Sequence, residues 1–190
     1  MRFATMLTRS TGTRAFAVLL LCLAAPAPLE AQRGGGGDSD EAAFLRAAGE
    51  HFDTPRSEVL VLTRWGLSAT EIPVVLRLAK RAGVSPDVVV SRRRHGASWM
   101  EIAHGYSVHA GDFHVPIDGS RGFLTEVYER FSARPASQWR EISLSDVEVV
   151  GLVNIRFLSR KLDVRPEQVV EAMGDGSNIV GAFIRLRRGG

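Results

Sequence analysis

The sequence predicts an all-α protein: two copies of a three-helix unit joined by a mostly irregular connector. Three observations point there. Two capping boxes, Leu67-Ser68-x-x-Glu71-Ile72 and Leu144-Ser145-x-x-Glu148-Val149, share their serine, their glutamate and the flanking apolar residues. In each, the serine caps, the glutamate reaches back and the apolar pair closes over the turn. Two proline turns follow in the same order, Gly83-Val84-Ser85-Pro86-Asp87 and Asp163-Val164-Arg165-Pro166-Glu167. No alternating apolar run is long enough to mark a strand.

Taken in order, the chain opens on residues 1–31 with the pattern of a cleavable signal peptide. Arg2, Arg9 and Arg14 make a positive start, and Ala15 to Ala25 is an apolar run of 11 residues. That is short of the ~20 residues that a membrane-spanning helix needs. Leu29-Glu30-Ala31 offers a cleavage site before Gln32. Cys22, the single cysteine, follows Leu21 rather than the small residue of a lipoprotein signal, so it leaves with the leader. The mature chain then has no thiol chemistry and no disulfide. The leader carries three of the 24 basic residues and one of the 21 acidic ones, which leaves the mature chain near neutral. Such a balance gives no general field for nucleic acid or anionic lipid.

Gln32 to Glu41 (QRGGGGDSDE) reads as a flexible tether, because four glycines in a row disfavour a helix. A single helical domain is predicted over 42–190. Its first helix runs from about Glu41 to Glu50, and a second starts at Thr54-Pro55 and stops at Gly66.

The repeat units cover about 67–105 and 144–188. The boxes lie 77 residues apart (68 to 145) and the prolines 80 (86 to 166), so three extra residues, nearly one turn, enter the second copy. Pro73 sits five positions past Ser68, which makes Thr70 an alternative cap. Ile72, Val75, Leu76 and Ala79 form an apolar stripe, with Arg77, Lys80 and Arg81 away from it. Val147 to Leu162 is apolar around most of its circumference and reads as the central helix. Gly96 and Gly176 are predicted to end the middle helix of each unit, and third helices start near Ser98 and Ser177. Within the connector, Leu124, Val127, Tyr128 and Phe131 mark one short amphipathic helix.

Several of these segments, Glu71-Ile72-Pro73-Val74-Val75, Ser98-Trp99-Met100-Glu101-Ile102, Phe113-His114-Val115-Pro116 and Leu144-Ser145-Asp146 through Asn154, carry a resemblance. The chain resembles a group of uncharacterised exported bacterial proteins with no known activity. The resemblance covers most of the mature chain and rests on structural motifs. It implies export and a helical fold, and it transfers no functional residue. This sequence lacks the glycine- and tyrosine-rich connector of that group around positions 119–130.

Functionally, the sequence points to a structural or partner-binding module, with an envelope or extracellular protein as partner and no cofactor called for. Trp65, Trp99, Tyr106, Phe113 and Trp139 stand near turns, and aromatic residues are enriched at binding hot spots. The alternative is a metal-binding protein or hydrolase centred on His95 to His114. His104, His109 and His114, with Asp112 and Asp118 nearby, are residue types that hold zinc or nickel. Their spacing of five does not align them on one helix face. No Gly-x-Ser-x-Gly elbow occurs, nor a phosphate-loop pattern. Gly96 through Val108 has the letters of a helix-turn-helix, with Arg92, Arg93, Arg94 and His95 beside it. Export and the near-neutral charge argue against nucleic acid, and the arginine run reads as a solvated helix face.

Overall fold

Glutamates reaching back onto serines, and residues in the left-handed region, divide this chain into helices joined by tight turns. The computed structural model describes residues 35–119, 121–174 and 178–189, and among them the protein is all-α, with no strand. The predicted leader over 1–31 lies outside the described residues, as do Gly176 and Ser177.

Helix α1 spans Gly35–Phe52. It therefore takes in Gly35 to Glu41, which the sequence reading assigns to a tether. Phe44, Leu45, Ala47 and Ala48 are buried and anchor the helix. Once it is nucleated, each added glycine costs only about 1 kcal/mol, so propagation towards the N-terminus is cheap compared with initiation. The helix closes with Asp53 in the left-handed region (φ 57°) and the Thr54 N–H donating to the Gly49 carbonyl at 2.8 Å. Because Thr54 finishes α1, Pro55 becomes the cap of α2 (Arg56–Arg64), one residue later than predicted.

The awkward Pro73 is resolved by a 3₁₀ turn, Ala69–Glu71, ahead of α3 (Ile72–Ala82). The Glu71 carboxylate accepts from the Ser68 N–H at 3.1 Å, so the capping box stands. Pro73 falls in the first turn of α3, where its missing N–H is harmless. Helix α3 ends at Gly83 (φ 66°), with the Val84 N–H donating to the Ala79 carbonyl at 3.1 Å. Helix α4 (Pro86–Arg94) starts at the proline, and α5 (Trp99–His104) starts from the Ser98–Glu101 box.

The connector is more regular than expected. It holds α6 (Ala110–Phe113), α7 (Thr125–Ser132) and 3₁₀ turns at Gly122–Leu124 and Ala136–Glu141. Val108, Phe113, Val115, Ile117, Leu124, Val127, Tyr128 and Phe131 are buried along it. Long-range burial, not local propensity, holds this stretch in place. The Tyr128 hydroxyl donates to the Val115 carbonyl, and burial pushes its pKa up to about 12.

Helix α8 (Asp146–Leu162) begins at Ser145, whose hydroxyl accepts from the Glu148 N–H at 3.3 Å. It closes as α3 does: Asp163 is left-handed (φ 54°) and the Val164 N–H donates to the Ser159 carbonyl at 3.0 Å. Helix α9 (Pro166–Met173) ends at Gly174, not Gly176. Helix α10 (Ile179–Gly189) is capped by Asn178, whose Oδ1 accepts from the Gly181 N–H at 2.8 Å.

Helix α8 is the central one, packed against α1, α3, α5, α6, α9 and α10. Val149, Leu152, Val153, Ile155, Phe157 and Leu158 on it are buried. So is Asn154, whose amide donates to the Thr70 and Val150 carbonyls at 2.8 Å each and ties α8 to the turn before α3. No described helix is long and apolar enough to cross a membrane.

Candidate anion-binding cleft

The basic face of α3 and the basic face of α8 lie on adjacent helices and open onto one cleft. Arg77, Lys80 and Arg81 sit at i, i+3 and i+4 on α3, and Arg156 and Arg160 at i and i+4 on α8, so each set shares a face. His51 and Phe52 from the end of α1 close one side, and Val153 and Phe157 supply an apolar wall. The space between them is about 400 Å³.

The two innermost guanidiniums donate to backbone. Arg77 Nη2 donates to the Asp112 carbonyl at 2.6 Å, and Arg156 Nη2 donates to the His114 carbonyl. Among the described residues, neither these two nor Arg160 has a carboxylate within 4.0 Å. The outer cations are paired: Lys80 with Asp53 at 2.9 Å, and Arg81 with Asp112 at 3.7 Å.

This crowding shows in the ionisation. Burial, then the neighbouring Arg156, pulls the Arg77 pKa down to about 10. Arg156 is lowered by burial and then by Arg160. Burial lowers His51, and Arg160, Lys161 and Lys80 lower it further, against the opposing pull of Asp53. Its ring packs edge-on to Phe52 at 4.7 Å and tilted on Phe157 at 5.2 Å. Asp112 opposes the lowering at both Arg77 and Arg156 without cancelling it, and half-buried cations held this close favour an anion joining them.

The predicted histidines go elsewhere. His95 lies on the surface beyond α4 with Nδ1 2.6 Å from the Ser91 carbonyl. The His104 and His109 rings are neighbours, 5.6 Å between centroids. His114 turns into an aromatic nest, 4.4 Å from Trp139 and 4.9 Å from Phe131, and burial lowers its pKa, with Arg156 and Arg121 adding to it. Asp112 accepts from the His109 N–H, and the Asp118 N–H donates to Glu167. Among the described residues, no three His, Cys, Asp or Glu side chains are grouped as a metal site.

Two further readings change. Trp99 and Phe113 are core residues, not surface anchors, whereas Trp65, Tyr106 and Trp139 are half-buried. The arginine run is not uniformly solvated. Arg93 is half-buried between Glu71 and Asp146, and its guanidinium lies 4.7 Å from the Trp99 ring centroid. Helix α5 buries Trp99, Met100, Ile102 and Ala103, so little of it is left for a DNA groove.

Sequence reasoning placed the cations of α3 away from its apolar stripe and missed the cleft. The available signal was a second basic pair, Arg156 and Arg160, on a central helix whose middle is mostly apolar.

Comparison with protein-family models, with curated proteins and with solved structures finds no match for this chain.

Proposed function

We propose that the chain is an exported helical binding module, built by duplication of a three-helix unit, that holds the anionic group of its ligand between α3 and α8. The observation carrying the binding reading is the pair Arg77 and Arg156: half-buried cations that donate to carbonyl oxygens and, among the described residues, have no carboxylate within 4.0 Å. Guanidinium forks are well suited to carboxylate and phosphate, and a cleft lined by one sign of charge concentrates ligands of the other. Export is supported by the three-part leader. Duplication is supported by the paired capping boxes and by the matching ends of α3 and α8. In the register of those ends, offset by 80, Lys80 corresponds to Arg160, and both line the cleft.

The test is the melting temperature in millimolar sulfate against chloride at equal ionic strength. Sulfate keeps its charge across the pH range, and ligand binding to the folded state alone raises stability as RT ln(1 + [L]/Kd). The protein is expected to gain stability in sulfate. Arg160→Gln, on an exposed residue, is expected to melt at the same temperature in chloride and to lose most of the gain. An equal gain in both proteins would reflect the general salting-out effect of sulfate and would refute the cleft.

A further inference from the structure

We propose that the ligand of this cleft is a phosphate monoester with an apolar body, which rests on the anion-binding reading and narrows it. The charge sets the head group. Three guanidiniums, those of Arg77, Arg156 and Arg160, enter the cleft without a carboxylate partner among the described residues. A singly charged carboxylate would leave this excess largely unanswered. A phosphate monoester brings close to two negative charges and three acceptor oxygens at neutral pH.

The walls set the rest of the molecule. Phe52, Val153 and Phe157 line the cleft beside the cations, with the His51 ring packed against both phenylalanines. A volume of about 400 Å³ falls in the range of small-molecule pockets, roughly 300–1,000 Å³, and exceeds what a bare phosphate fills. A head bound among the arginines places its ester substituent against the apolar wall. Both a soluble ester and a lipid headgroup have this chemistry.

Calorimetric titration of the full chain with phenyl phosphate and with inorganic phosphate separates the possibilities. Phenyl phosphate is expected to bind about tenfold more tightly, the gain from burying one ring face. Arg160→Gln should weaken both ligands, whereas Phe52→Ala should remove only the preference for phenyl phosphate. Phe52→Leu serves the same purpose if the alanine variant melts early. Equal affinities, both sensitive to Arg160→Gln, would overturn this inference and leave anion binding standing. No binding of either by the unaltered protein would end both.

Phosphatidylcholine vesicles with and without phosphatidic acid supply the second arm. Retention on phosphatidic acid that phenyl phosphate competes away supports a lipid source, and phenyl phosphate binding without retention supports a soluble ester. Retention that survives Arg160→Gln and ignores phenyl phosphate would place the contact outside the cleft and overturn the proposal.

Discussion

Phe44→Ala is expected to destabilise the protein by about 3–5 kcal/mol, the range for removing a buried aromatic ring. Phe44 is fully buried, and its ring stands edge-on to Phe157 at 5.6 Å and Phe183 at 5.7 Å. It thereby joins three helices, α1, α8 and α10, whose mutual packing closes one side of the core. The ring contacts are T-shaped, an arrangement that adds about 0.5–1.5 kcal/mol per pair beyond area burial. Denaturant unfolding followed by circular dichroism measures the loss. Leu60→Ala on α2, at 41% exposure, is the control and should stay within about 0.5 kcal/mol. A Phe44 loss no larger than the control would mean that α1 does not belong to the core.

The second large effect is expected at Arg93. Its guanidinium donates to Glu71 at 3.1 and 3.3 Å, to Asp146 at 2.6 Å and to the Ala97 carbonyl at 3.1 Å. Asp146 in turn accepts from the Trp99 N–H at 2.8 Å, so one side chain links the start of α3, the end of α4, the start of α5 and the start of α8. Arg93→Met keeps the aliphatic stem but leaves two half-buried carboxylates without their cation. Removing one partner of a fully buried pair costs about 3–5 kcal/mol, and partial exposure here reduces the expectation to about 2–3 kcal/mol. In a Glu71→Gln background the loss should be smaller, because one stranded charge is gone. A loss below about 0.5 kcal/mol would place this network among ordinary surface pairs.

What could be read from the sequence follows the range of each interaction. The boxes at Ser68, Ser98 and Ser145 and the starts at Pro86 and Pro166 are signals within three or four residues, and each stands in the structure. The central place of α8 was legible because an apolar circumference has no other use. Arg93 was not, since Glu71 and Asp146 are 22 and 53 residues away from it. The cleft was invisible for the same reason: a basic stripe on one helix reads as solvated until a second basic helix is packed beside it. Gly35 to Glu41 misled in the opposite sense, because local glycine propensity lost to the anchoring of Phe44.

The most direct test of the cleft is the pKa of His51, followed by NMR with and without sulfate. In the free protein it should titrate below its ordinary 6.5, because burial and then Arg160, Lys161 and Lys80 disfavour the imidazolium. An anion bound among these cations offsets them, so sulfate should raise the His51 pKa. By linkage, sulfate should then bind more tightly as the pH falls through that range. His114 shares Arg156 with the cleft but not Arg160, Lys161 or Lys80, so it should move in the same direction and by less. A His51 pKa that rises with sulfate by more than that of His114 is the result this account predicts; a His51 pKa that does not respond would contradict it.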